Sequence, residues 1–337
     1  MTLQDIPLAF KVLMAQECKQ ALPMPEAIEA VRRVLMAQKA DELVVPQRTI
    51  VDMTADADRT QILLMPSASR SSAKFVVKLS AIAPRNRHRG LPLVSAVIII
   101  LDAETGRLNS ILDGAHLTAV RTAAASAVAT NCLARADACE LALIGAGATA
   151  RAHIESMSAV RNIARLTLFS RTKARAEALA DWAVENSLCQ TAEVVDTAEA
   201  AVGNADIVCT TTSITFEGPI LDLAWLKDGT HVNAIGGVDE NAMEIEPRSL
   251  AGARVVVEEV DAVFRESGEL RKARALGLLD ENSVVRLCDV VAAPHTMLPS
   301  GRISVFKSVG VAFLDFAVAE GVSRAALQMG LGREVLG

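Results

Sequence analysis

The sequence predicts an α/β protein, a doubly wound parallel sheet accompanied by an antiparallel α+β unit. Three observations lead there. From Glu140 onward, short apolar runs alternate with helical patterns, the signature of a parallel sheet with crossover helices. The first of those runs, Glu140-Leu141-Ala142-Leu143-Ile144, leads directly into Gly145-Ala146-Gly147-Ala148-Thr149-Ala150, a glycine-rich turn between a strand and a helix. Ahead of it lie several strand-like runs separated by polar or Gly/Pro turns, with no helix between them.

In chain order, residues 25–40 form a helical pattern with Pro25 at its start. Strand patterns follow at 49–53, 61–65, 74–80 and 94–102, and Glu104-Thr105-Gly106 is a turn that folds one further strand back. Residues 117–134 read as a helix rich in small side chains, able to lie close to another backbone or a ligand. Strands are expected at 140–144, 165–169, 191–195, 205–210, 231–235 and 254–259, with helices at 149–160, 172–187 and 196–202. Residues 305–330 carry a long amphipathic helix pattern that packs back on the first unit. The expected division is therefore 1–137 with 293–337 as one domain and 138–292 as the other.

Composition narrows the function. The 337 residues are 51% hydrophobic but only 3% aromatic, with no Tyr, so Ala, Val, Leu and Ile build the core. A net charge of −6 argues against nucleic-acid or anionic-membrane partners, which require a basic surface. No apolar run is long enough for a membrane span and the N-terminus has no signal-peptide pattern. The six cysteines form no C-x-x-C pair and lack histidines at ligand spacing, so they read as reduced thiols of a cytoplasmic protein, with no metal site.

The glycine loop is a dinucleotide-binding fingerprint of the Rossmann type. Gly145 permits the tight turn, Gly147 lets the backbone approach a pyrophosphate, Ala150 keeps the helix close to the sheet, and the helix N-terminus offers N–H groups to the phosphates. The second strand ends in Ser170-Arg171-Thr172, with no acid for a ribose 2′-hydroxyl. Arg171, with Ser170 and Thr172, suits a 2′-phosphate, so NADP(H) is the preferred cofactor and NAD(H) the second choice. The same residues also read as a capped helix start beside a solvated arginine. Elsewhere, Lys78 lies in Phe75-Val76-Val77-Lys78-Leu79. There Lys74, Val76 and Lys78 share one strand face, and the ordinary reading of such a lysine is a solvated face. Arg121 is set among alanines and needs a partner, for which a substrate carboxylate is one candidate. His116 and His231 read as structural, and His88, His153 and His295 as loop or helix-surface residues.

Several segments together resemble the ornithine cyclodeaminase/mu-crystallin family over nearly the whole chain. They are Val45-Pro46-Gln47-Arg48, Leu64-Met65-Pro66, Val77-Lys78-Leu79, Pro84-x-Asn86 with Gly90-Leu91-Pro92, Asp113-Gly114-Ala115-His116-Leu117-Thr118-Ala119-Val120-Arg121-Thr122-Ala123-Ala124, the glycine loop, Ser170-Arg171-Thr172, His231-Val232-Asn233-Ala234-Ile235-Gly236 and Phe306-Lys307-Ser308-Val309-Gly310. The resemblance implies a homodimer of a split α+β substrate and dimerisation domain and a Rossmann domain. It also implies hydride transfer between nicotinamide and the α-carbon of an amino or imino acid. By position it implies that Arg48, Lys78 and Arg121 clamp the substrate carboxylate, with Met65 beside them. It further implies cofactor contacts from Arg121, Thr122, Gly145, Gly147, Ala148, Thr149, Ser170, Arg171, Thr172, Thr211, Val238, Ser308 and Gly310.

One departure bears on the reaction. Cyclodeaminases of the family carry Ile-Gly-Gly-Asp followed by Pro-Gly-Lys, the Asp serving as general base. This chain reads Ile235-Gly236-Gly237-Val238-Asp239-Glu240-Asn241-Ala242-Met243-Glu244. Counting back from Glu244 places Val238 at the acid's position and Asp239 one residue late, which would turn its carboxylate away unless the loop relaxes. Cyclodeamination needs an active base for several proton transfers, whereas imine reduction asks mainly for orientation. The expected function is thus an NAD(P)H-dependent reductase of a small α-imino acid with Lys78 and Asp239 as catalytic candidates. The substrate is a cyclic ketimine (Δ1-pyrroline-2-carboxylate or Δ1-piperideine-2-carboxylate) or an acyclic imino acid. The alternatives are an ornithine or lysine cyclodeaminase that recycles NAD, and a crystallin-type protein that binds NADPH and a small ligand.

Overall fold

The computed structural model describes residues 9–52, 60–212, 218–236, 241–293 and 301–336. The chain begins with β1 (Ala9–Leu13), α1 (Ala15–Ala21) and α2 (Met24–Lys39). Strands β2 (Leu43–Val44), β3 (Thr49–Asp52), β4 (Gln61–Ser69), β5 (Lys74–Ile82), β6 (Val94–Asp102) and β7 (Leu108–Asp113) precede α3 (Gly114–Leu133). Alternation then sets in with β8 (Glu140–Ile144), α4 (Ala150–Val160), β9 (Arg165–Phe169), α5 (Lys173–Glu185), β10 (Thr191–Val194), α6 (Ala198–Val202) and β11 (Ile207–Thr210). It continues through β12 (His231–Ala234), β13 (Arg254–Val257), α7 (Val260–Glu266), α8 (Gly268–Ala275), β14 (Val285–Arg286) and α9 (Leu287–Ala292). The chain ends with β15 (Ser304–Lys307), α10 (Ala312–Met329) and β16 (Arg333–Leu336). Among the described residues no helix is long and apolar enough to cross a membrane.

Two compact units divide the chain: Met1–Arg121 with Ala312–Gly337, and Thr122–Val311. The boundaries expected at 137/138 and 292/293 differ from these, because α3 is divided within itself and β15 belongs to the parallel sheet. The residues of β15 were expected at the start of a long helix. They form instead a fully buried four-residue strand between β12 and β13. A run that short has no period of its own, so its neighbours decide its conformation.

The first unit holds a sheet ordered β16-β1-β7-β6-β5-β4-β2, with β3 also paired to β4. All its pairings are antiparallel except β1 with β7. Two-residue alternation puts Leu63 and Met65 of β4, Val76 and Lys78 of β5, and Ile98 and Ile100 of β6 on the buried face. Helix α10 packs there, with Ala312 against Leu63 and Met65. This helix is buried nearly all round over Ala312–Ala319, and is not the amphipathic helix expected. The opposite sheet face leaves Leu64, Phe75, Leu79 and Val97 exposed. Gly114 opens α3 where an added Cβ would lie 2.8 Å from the Ala96 and Val97 backbone, so only glycine lets the helix start there.

The second unit is an all-parallel sheet ordered β10-β9-β8-β11-β12-β15-β13-β14. The winding reverses between β8 and β11, and in such sheets a ligand crevice opens at the carboxyl ends of the strands there.

Candidate functional site

Within the second unit, the turn after β8 has the expected form. Gly145 takes φ +105° and its N–H donates to the Phe169 carbonyl at 2.8 Å. A side chain at Gly145 would meet the Thr211 carbonyl at 2.8 Å, and one at Gly147 would approach the same oxygen to 3.2 Å. Gly147 and Ala148 expose their backbone, while Ala150 is buried under the sheet edge. Thr149 is the N-cap of α4, but its side chain makes no capping bond; the Ala150 N–H donates to the Gly147 carbonyl at 3.2 Å, and the next N–H groups of the first turn are left to a ligand or water. Thr211 is buried and its hydroxyl donates to the Gly145 carbonyl at 2.9 Å, so it fixes the loop through that bond. The bare backbone at the reversal of the sheet thus fits a dinucleotide pyrophosphate.

Ser170, Arg171 and Thr172 follow β9. Arg171 and Thr172 are exposed, and the Thr172 N–H donates to Ser170 Oγ at 3.3 Å. Thr172 occupies the N-cap of α5, yet neither hydroxyl caps the helix as the alternative sequence reading expected. Ser308 is buried, donates from Oγ to Glu258 Oε1 at 2.5 Å and accepts from the Gly310 N–H at 3.3 Å. Gly310 takes φ +69° and Thr122 is buried on α3. Val238 and Asp239 lie outside the described residues.

Beside Gly236 sits a buried charge cluster that sequence reading missed. Lys307 Nζ lies 2.8 Å from Glu269 Oε1 and 3.6 Å from Glu244 Oε2, all three side chains having no solvent exposure. The ammonium also donates to the Gly236 carbonyl at 2.5 Å, and the Gly236 N–H donates to Glu244 Oε2 at 2.7 Å. Glu244 Oε1 accepts from the Thr212 hydroxyl at 2.9 Å. Burial alone would lower the Lys307 ammonium, but Glu269 and Glu244 outweigh it and hold it above the usual lysine range. Burial raises the Glu244 carboxyl, with Lys307 opposing. The cluster holds Gly236, just after β12, through both its N–H and its carbonyl.

The first unit holds the cations. Lys78 is 2% exposed on the inner face of β5, the reverse of the solvated face that is the ordinary reading of such a lysine. Its register partners are Met65 on β4 and Ile98 on β6, both buried and apolar. The countercharge comes from α10: Lys78 Nζ donates to Asp315 Oδ1 at 2.8 Å, and Arg121 Nε donates to the same oxygen at 3.1 Å. Burial lowers the Lys78 ammonium to about 8, partly offset by Asp315 and reinforced by Arg121 and Arg48. Arg48 is half-buried in the connection between β2 and β3. Arg48, Met65, Lys78 and Arg121 therefore belong to one neighbourhood. Asp315 completes it, and its signal was a lone acid in the apolar run Val311-Ala312-Phe313-Leu314-Asp315-Phe316-Ala317-Val318-Ala319.

His231 and His153 are structural in their geometry. His231 is fully buried between Ser304 Oγ at 2.9 Å and Asn233 Oδ1 at 3.2 Å, and burial lowers it to about 3. His153, expected at a helix surface, is also fully buried, between Ser126 Oγ and the Thr149 carbonyl, and burial lowers it to about 4. The small residues of α3 let α4 approach closely enough to enclose that ring. All six cysteines are free thiols.

The profile of the ornithine cyclodeaminase/mu-crystallin family matches residues 10–329. A Delta(1)-pyrroline-2-carboxylate reductase of Bacillus cereus is 31% identical over 327 residues, covering 96% of this chain and 99% of that protein. The structure of the Thermococcus litoralis Delta(1)-pyrroline-2-carboxylate reductase in complex with NADH and L-proline superposes with a TM-score of 0.91. It shares 30% identity and covers 97% of this chain and all of that one. An archaeal alanine dehydrogenase dimer with bound NAD superposes with a TM-score of 0.88 at 25% identity, covering 97% of this chain and 99% of that one.

Proposed function

The chain belongs to the ornithine cyclodeaminase/mu-crystallin family, and from that premise we propose that it is an NAD(P)H-dependent reductase that converts a small α-imino acid to the L-amino acid. The cyclic ketimine Δ1-pyrroline-2-carboxylate is the first substrate to try, then Δ1-piperideine-2-carboxylate and acyclic imino acids. The observation that carries this reading is the buried Lys78–Arg121 pair, two cations held by one carboxylate on the inner face of a sheet. Such a pair suits a small anion, and related proteins of nearly full-length similarity are reductases of an imino carboxylate.

In this reading Arg48, Lys78 and Arg121 hold the substrate carboxylate, and Met65 packs beside the ring or side chain. The Gly145–Thr149 turn holds the pyrophosphate, with Thr211, Ser308 and Gly310 shaping the loops around it and Thr122 contributing from α3. When bound, the nicotinamide supplies the hydride. The protein's part is orientation and charge. Fixing the carboxylate sets the imine carbon in place, and an ammonium that titrates at about 8 holds a proton at Lys78 Nζ near neutral pH. Asp239 is the second candidate for moving a proton, as the Asp239→Asn variant would reveal. NADP(H) is the preferred cofactor, on the exposed Arg171 and the absence of an acid at the end of β9. The exposed row Leu64, Leu79 and Val97, in register across three strands with Phe75 nearby, supports a homodimer through that face. A cytoplasmic site of action suits its free, mostly buried thiols.

The test is consumption of NADPH and NADH with the cyclic and acyclic imines, against ammonia release from ornithine and lysine. Net cofactor oxidation with an imine is expected. Ammonia release from a diamino acid without net cofactor change would make it a cyclodeaminase, and cofactor binding without turnover on either panel would make it a binding protein.

A further inference from the structure

Asp315 lies on α10, about two hundred residues from Arg121 along the chain, and none of the sequence segments above includes it. It is fully buried, and its Oδ1 receives one hydrogen bond from Lys78 and one from Arg121. Its Oδ2 has no hydrogen-bond partner among the described residues. Among the described residues Asp315 is the negative group at Lys78, and the other neighbours are cations or apolar side chains. Arg121 comes from α3, Arg48 from the β2–β3 connection, and β4 and β6 present only Met65 and Ile98 to Lys78. The ion pair of Lys74 with Glu320 is a separate contact, four residues along β5. Two buried cations side by side repel, and burial without a countercharge would be strongly unfavourable for them.

We propose that Asp315 is a positioning residue of the substrate site, joining Lys78 and Arg121 through one oxygen into a single cationic fork that receives the carboxylate of the imino acid. Asp315 touches neither substrate nor cofactor in this arrangement. It sets the spacing of the two donors and keeps Lys78 protonated. With two cations to one carboxylate, a positive charge remains for the substrate anion, while the ammonium and guanidinium each give up only one donor to Oδ1. This rests on the carboxylate-clamp reading above.

The sign of the pH effect follows from the countercharge. Lys78 carries its proton below about 8 and loses it above, so affinity for a carboxylate fades on the alkaline side. Removing Asp315 takes away the attraction that favours the charged form, so that limb must move to lower pH.

The experiment compares wild type, Asp315→Asn, Asp315→Glu and Lys78→Ala in kcat/KM for the cyclic imine across pH, with NADPH binding and thermal unfolding measured alongside. For Asp315→Asn the alkaline limb should move down by about one pH unit, a loss of roughly fivefold in kcat/KM near pH 8 that grows toward tenfold at higher pH, shrinks toward pH 6 and falls mainly on KM. Asp315→Glu keeps the charge, so the limb should stay near its wild-type position even where KM rises. If Asp315→Asn fails to fold, a limb shifted in Asp315→Glu as well overturns the proposal. A uniform loss at all pH values, or none, also overturns it. Lys78→Ala separates the two readings. If it keeps wild-type kcat/KM, the clamp itself fails. If it loses activity while Asp315→Asn keeps the wild-type KM and pH profile, the clamp stands and only the role of Asp315 falls.

Discussion

At the scale of single residues, the governing effect is the cost of burying a charge. Lys78, Arg121 and Asp315 share one ion-paired neighbourhood, and Lys307, Glu244 and Glu269 form another. Each is intelligible only as a set, since any member alone would be an uncompensated charge. Arg171 is exposed, and its part in cofactor choice depends on which nucleotide binds. If it holds a 2′-phosphate, Arg171→Ala should raise KM for NADPH by about tenfold or more, the worth of a charge-assisted hydrogen bond, while KM for NADH changes little. Equal changes for the two cofactors would remove the basis for the NADP preference. The lone Asp315 could have been found by the reasoning applied to Arg121, because a charge in an apolar helix implies a partner. The identity of that partner could not, since the two residues are far apart in sequence.

At the scale of elements, strand ends and helix starts carry the function. The β8–α4 turn is a local structure, and its glycines were readable because each answers a constraint within a few residues of chain. Strand β15 was not readable: Ser304–Lys307 is an interior strand through pairing with β12 and β13, distant segments both. That placement also delivers Lys307 to the Gly236 peptide at the end of β12. Lys307→Met should therefore cost about 3–5 kcal/mol of stability in denaturant titration, because two buried carboxylates lose their countercharge. A loss below about 1 kcal/mol would mean that these ion pairs contribute little to holding Gly236 in place.

At the scale of the whole molecule, the first unit presents a sheet with its charge inside and part of its apolar surface outside. Leu79 is 37% exposed and Phe75 47%, on the face opposite Lys78. A protein that ends as a monomer has little reason to leave a row of such residues in register. Leu79→Lys is expected to convert a dimer of twice the 35.7 kDa chain mass into monomer in sedimentation velocity, with the fold retained by circular dichroism. A wild-type protein that sediments as a monomer would refute the dimer directly.

The sequence by itself determined the two kinds of unit, most of the strands and helices, the dinucleotide turn and the cations at 48, 78 and 121. These follow from periodicity and from short motifs, which are properties of neighbouring residues. It also placed Lys74, Val76 and Lys78 on one strand face, because alternation is local. Which face is buried was left to tertiary structure. Packing of α10 on β4, β5 and β6 turned the lysine face inward and brought Asp315 to it, and the apolar face outward. Period alone states that two faces differ; only the element packed against one of them decides which becomes the core.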